Sequence, residues 1–257
     1  MVMLRSDFLL LAAPGDSTAI VYNRLVRRFG QCHVIMERPV SRGRKVRVRL
    51  RKLGLRSVLS QLLFILIIKP VLEWQSSGVT QKHCDRLGLD RSPVPQNSII
   101  NVNSVNDQAC RDAIQKLNPR VIVVGGTRII GRKTLSSSTA QFVNTHAGIT
   151  PRYRGAHGGY WALFNGDARN CGVTVHLVDT GIDTGEILGQ AVITPSREDC
   201  FVTYPYLQLA AALPILENCV ARGLEGPLEG HRGTGPSEVW YHPGIVQYLL
   251  GRLRGVR

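Results

Sequence analysis

Four consecutive branched apolar residues, Val121-Ile122-Val123-Val124, follow Pro119-Arg120 and stop at Gly125-Gly126. A strand with one polar face can border water. A strand with none must be covered on both sides, as happens in parallel sheets flanked by helices. The preceding chain supplies such a sheet. Phe8 to Ala13 reads as a first buried strand, and Pro14-Gly15-Asp16-Ser17-Thr18 as a turn with an N-cap. Ala19 to Phe29 has helical spacing, and Cys32 to Met36 reads as a second strand. Ile99 to Val102 reads as a third strand and Asp107 to Leu117 as a helix. This order predicts an α/β chain with a Rossmann-like parallel sheet. The loop Ala13 to Ser17 can receive a phosphate at a helix N-terminus or can be a plain turn. It lacks Gly-x-Gly-x-x-Gly, which argues against a dinucleotide.

Beyond that strand, Asn144-Thr145-His146 is followed by Pro151-Arg152-Tyr153-Arg154-Gly155. A helix is expected over Gly155 to Asn165, a strand over Val173 to Val178, the loop Ile182-Asp183-Thr184-Gly185, and a strand over Glu186 to Ile193. Asn144 and His146 are two apart and project from one face of an extended chain. Asp183 sits between Gly181 and Gly185, which lets backbone and carboxylate approach a small ligand. An amide donor, an imidazole and a carboxylate suit acyl transfer, where an oxyanion must be held and a proton removed. Taken singly, each has a plain explanation: a turn cap, a satisfied histidine, and ordinary turn acids at Asp179 and Asp183.

Taken in order, these segments resemble the folate-dependent formyltransferases, the family of glycinamide ribonucleotide, methionyl-tRNA and sugar-amine formyltransferases. The match covers Asn144-x-His146, Pro151-x-Tyr153-x-Gly155 and Asp183-Thr184-Gly185. It is firm over about residues 117 to 195, weaker before and faint after 200. The resemblance implies formyl transfer from 10-formyltetrahydrofolate to an amine, with no metal. It makes Asn144 the neutral donor to the oxyanion, His146 a protonated donor, and Asp183 the group that supports His146 and accepts the amine proton. It places Arg128, Ile129 and Ile130, with Val178, Asp179, Thr180, Gly181 and Ile182, around the folate. Pro151, Tyr153 and Gly155 fix the turn beneath Asn144 and His146. His157 matches a histidine of the ribonucleotide branch, paired with an acid, or is a solvent histidine. His33, His83, His176, His231 and His242 read as structural.

The chain of 257 residues carries a net charge of +14, concentrated in Arg42, Arg44, Lys45, Arg47, Arg49, Arg51, Lys52 and Arg56. Such a run fits a solvated face or an anionic partner: phosphate, nucleic acid or a membrane. Next comes Val58 to Ile68, shorter than the roughly 20 residues of a membrane span. It reads as a helix buried under an insertion at about 37–75, with a membrane-surface helix as the second reading. The short apolar start, with Arg5 and Asp7 before it, does not read as a secretory signal. The six cysteines, lacking Cys-x-x-Cys or zinc spacing, read as reduced thiols of a cytoplasmic protein, peripheral to the membrane on the second reading. A catalytic domain is expected over 1–200. A mainly helical extension is expected over 201–257, with helices at Tyr206 to Arg222 and Ile245 to Leu253.

The basic loop Arg38 to Lys45 resembles the one that methionyl-tRNA formyltransferases use. That branch carries a C-terminal β-barrel, for which about 55 residues leave no room, and this argues against tRNA. The acceptor expected is a small or medium amine, phosphorylated or carrier-borne. Two other functions share these residues: a 10-formyltetrahydrofolate hydrolase, and a non-catalytic module binding RNA or lipid.

Overall fold

The computed structural model describes residues 7–257, apart from the side chains at 42, 44 and 45. The expectation about residue 5 and part of the basic run therefore lie outside the described residues. In chain order the elements are β1 (Phe8–Ala12), α1 (Asp16–Phe29), β2 (His33–Glu37) and α2 (Arg42–Leu63). A π-helical turn (Phe64–Ile68) follows, then α3 (Lys69–Gln75), α4 (Ser77–Leu87), β3 (Ile99–Val102), α5 (Gln108–Leu117), β4 (Val121–Gly125), α6 (Arg132–Leu135) and β5 (Gln141–His146). The second half adds β6 (Arg154–Gly155), α7 (Gly158–Phe164), β7 (Gly172–Leu177), β8 (Ile187–Val192), α8 (Tyr204–Glu225), β9 (Val239–Trp240) and α9 (Ile245–Leu253).

The main sheet has the order β3-β2-β1-β4-β5-β7-β8. The pairs from β3 through β5 are parallel, and β7 is antiparallel to both its neighbours. This is the expected Rossmann-like sheet with one reversed strand. Strand order switches direction beside β1 and β4, so their carboxyl ends open a crevice. Val121 and Val123 enter one apolar layer, with Phe8 and Leu10. Ile122 and Val124 enter the opposite layer, with Leu9 and Leu11. The two-sided burial of that four-residue run is thus observed. Asp107 caps α5, its carboxylate accepting the Cys110 N–H at 2.9 Å.

The chain after residue 200 joins this body. Ala212, Leu216, Cys219 and Val220 of α8 complete the first apolar layer. β9 pairs in parallel with β6. The helix expected from Gly155 starts only at Gly158, because Gly155 is held extended in that pairing at φ 92°. All six cysteines are free and buried.

The insertion departs from its expected burial. α2 is kinked at Gly54 (φ 77°, ψ 166°), and beyond that kink its second half, the π-turn and α3 run on as one rod. Val58, Gln61, Phe64 and Leu72 are buried against the body, while Leu59, Leu63, Leu66 and Ile67 are exposed. The segment is apolar on all sides, and the body has only one flank to offer it. The rod is also longer than its apolar run. Val46–Gln75, 30 residues, is long and apolar enough to cross a membrane by length and composition.

Candidate active site

The antiparallel β5–β7 register sets Asn144 opposite His176 and His146 opposite Thr174. Asn144 Nδ2 lies 3.1 Å from His176 Nε2, and His176 Nδ1 lies 2.7 Å from the Leu177 carbonyl. A carbonyl only accepts, so His176 carries a proton on Nδ1, while its Nε2 faces the Asn144 amide. Below, the buried His146 sets Nε2 2.6 Å from the Tyr153 carbonyl and Nδ1 3.3 Å from Asp183 Oδ2.

Asp183 lies between the two rings. Its Oδ1 is 3.5 Å from His176 Nε2, and its Oδ2 accepts the Gly155 N–H at 2.8 Å. It holds a left-handed φ of 50°, uncommon for a side chain other than glycine. Asp179, the competing acid, is used up within the loop. It accepts the Gly181 N–H at 3.0 Å and the Thr184 hydroxyl at 2.7 Å. Gly185 is required there, since a Cβ would run into the Leu177 carbonyl.

Burial acts to raise the Asp183 carboxyl, but hydrogen bonding to His176, the charge of His146 and the Gly155 N–H hold it below the ordinary carboxylate value. Burial pushes His146 below the ordinary imidazole value, against the pull of Asp183 and the Tyr153 carbonyl. Both ring nitrogens of His146 face acceptors, the Tyr153 carbonyl and Asp183, which favour its charged form while burial opposes it.

Asn144, His146, His176 and Asp183 line one cavity of about 310 Å3 with Gly126 to Ile130 and with Val178, Asp179, Gly181 and Ile182. Of the eight residues expected around the folate, Thr180 alone stays off the lining, exposed on the outer side of its loop. Arg128 lines the cavity, yet its guanidinium turns away from it. Nε lies 2.5 Å from Glu37 Oε1, and the terminal nitrogen donates to the Arg38 and Asn103 carbonyls. Thr145 Oγ1, on the cavity wall, is buried with no hydrogen-bond partner.

Two histidines depart from expectation. His176 read as structural, yet it touches both Asn144 and Asp183. Its signal was cross-strand register, which spacing along the chain does not display. His157 pairs with no acid among the described residues. Its ring packs 4.4 Å from Phe201 and 4.7 Å from His242, and burial pulls it down to about 3.

Comparison with known proteins places this geometry. Residues 79–204 match the family model described as formyl transferase. Methionyl-tRNA formyltransferase of Finegoldia magna is 34% identical over 114 residues, 44% of this chain and 34% of that protein. The chain thus spans about a third of that relative. A sugar N-formyltransferase from Shewanella sp FDAARGOS_354 superimposes with a TM-score of 0.60 at 12% identity, over 96% of this chain and 87% of its own. An N-formyltransferase from Helicobacter canadensis, in complex with folinic acid and dTDP-3-aminofucose, gives a TM-score of 0.55 at 15% identity, over 90% and 70%. At such identities the two structures share the fold.

Proposed function

We propose that this chain, which belongs to the formyl transferase family across residues 79–204, moves a formyl group from 10-formyltetrahydrofolate to the amine of a small or medium metabolite. The observation that carries this reading is the convergence of Asn144, His146, His176 and Asp183 on the wall of one cavity.

The cavity fits the donor. Its volume lies in the range of roughly 300–1,000 Å3 usual for small-molecule sites. One wall is the 126–130 segment, the other the 178–182 loop. 10-Formyltetrahydrofolate supplies an amide-like acyl carbon when bound there. The chain's own residues do the rest. Asn144, whose amide faces His176, turns an N–H toward the formyl oxygen, a neutral donor for the charge that builds there. Asp183, ionised at neutral pH, orients the amine and accepts its proton, directly or through water; the tetrahedral species then breaks its carbon–N10 bond, and that proton passes to N10 as tetrahydrofolate leaves. His146 shields and holds Asp183, and His176 links the amide to the carboxylate.

The complex of the Helicobacter canadensis enzyme with folinic acid and dTDP-3-aminofucose supports a folate beside a small amine acceptor. A second reading has one observation in its favour: the curated relative is named for methionyl-tRNA. Incubating the protein with formyl donor and a panel of amines, nucleotide amino-sugars and methionyl-tRNA, read by mass spectrometry, separates the two. A gain of formyl on an amine supports transfer. Formate released without acceptor would indicate a hydrolase.

A further inference from the structure

Among the described residues, thirteen of the sixteen exposed large apolar side chains fall on two packed segments, α2–α3 and α9. Beyond Gly54, Leu55, Leu59, Leu63, Leu66, Val71 and Trp74 follow one another at spacings of three to five residues, all exposed. Leu253 of α9 is 85% exposed and Trp74 is 78% exposed. A soluble surface scatters such residues singly; a series this long is a docking surface.

The charge around it selects the occupant. Between Arg38 and Arg56 the sequence has nine lysines and arginines and no acid, while Lys69 further along pairs with Glu73; from Ile245 onward it has three arginines and no acid. A second copy docking face to face by a twofold axis would set these cations against each other. An anionic bilayer satisfies both features, taking the leucines into its acyl boundary and the cations onto its headgroups. We propose that this face docks the protein on an anionic lipid surface. The rod lies in the interface and does not cross it. Phe64 is held by Phe201 and Tyr248, with ring centroids 5.0 Å away in each case, and Gln61 Nε2 donates to the His242 carbonyl at 2.7 Å. One flank is therefore committed to the body. The inference stands apart from the formyl transfer reading, since it uses none of the site residues.

The test is sedimentation of the full chain with vesicles of equimolar phosphatidylglycerol and phosphatidylcholine, against phosphatidylcholine alone. Binding is expected to be stronger on the anionic vesicles and to fall by on the order of tenfold or more at high salt. Trp74 emission should shift to the blue on binding, and Trp74→Phe should remove that shift. Leu59→Ser with Leu66→Ser should abolish binding, and Arg51→Gln with Lys52→Gln should weaken it about tenfold. These four positions are exposed, so the variants should melt like the parent. Absence of binding to anionic vesicles at low salt would overturn the proposal. So would vesicle binding indifferent to both pairs of substitutions, or a dimer in solution that the serine pair dissociates.

Discussion

Gly155 donates its backbone N–H to Asp183 Oδ2 at 2.8 Å, across 28 residues of chain. The Pro-x-Tyr-x-Gly turn therefore reaches the candidate catalytic carboxylate through its last residue. At φ 92°, with the Trp240 carbonyl where a Cβ would go, the position excludes other residues. Gly155→Ala should push β6 off β9 and turn Asp183. Formylation is expected to fall at least about tenfold in kcat, with about 1–2 kcal/mol of stability lost. Steady-state kinetics beside a urea melt checks this. Unchanged kcat would detach the turn from the chemistry.

Much of this was readable before the fold was known. The two-sided strand at Val121–Val124 fixed the sheet type, and Asn144, His146 and Asp183 stood out by order and residue type. What escaped depended on pairing between strands and on desolvation. His176 enters the site only because β7 runs antiparallel to β5, a direction that residue spacing does not encode. The lowered basicity of His146 depends on burial, which no short motif reports. The exposed face of α2–α3 was only the second reading, because an all-apolar helix reads the same whether protein or lipid covers it.

His176 should act as a positioning residue. His176→Ala removes the partner of the Asn144 amide and a partner of Asp183. An expected loss of roughly 10- to 100-fold in kcat, with folate KM within a few fold, follows if those contacts matter chiefly as charge develops. The acid limb of the rate profile should move to higher pH, since Asp183 loses a partner that holds it ionised. A variant with normal kcat and an unmoved limb would return His176 to a purely structural role.

Arg128 presents its guanidinium to the buried Glu37, so Arg128→Ala should act through the loop and not through a lost ligand contact. Glu37 also accepts the Val105 and Arg128 backbone N–H groups. Leaving that carboxylate short of a charged partner should cost about 1–3 kcal/mol. The melting temperature should fall together with a rise in folate KM. A raised KM at unchanged stability would instead point to direct contact with the folate.

Acid should destabilise the fold through its buried histidines. Burial lowers His157 to about 3 and His242 to about 4, while the unfolded chain titrates at the ordinary imidazole value of about 6.5. A depressed histidine value means that the unfolded state takes up protons first. Stability is therefore full above about pH 6.5 and declines as pH falls toward 4, by about 1.4 kcal/mol per pH unit for each proton taken up only on unfolding. Thermal melts across that window should show the decline, and His242→Gln should flatten it. A parent melting temperature constant from pH 7 to about 4.5 would contradict the shifts.

The central claim is that the Asn144–His176–Asp183–His146 cluster transfers formyl to an amine. The most direct measurement follows one amine acceptor by mass spectrometry with parent, Asn144→Ala and Asp183→Asn proteins, with folate binding recorded alongside. The expected result is a formyl gain by the acceptor with the parent, and a loss of about a hundredfold or more in each variant at folate affinity within a few fold. Equal formylation by parent and Asp183→Asn, or formate release independent of any amine, would contradict it.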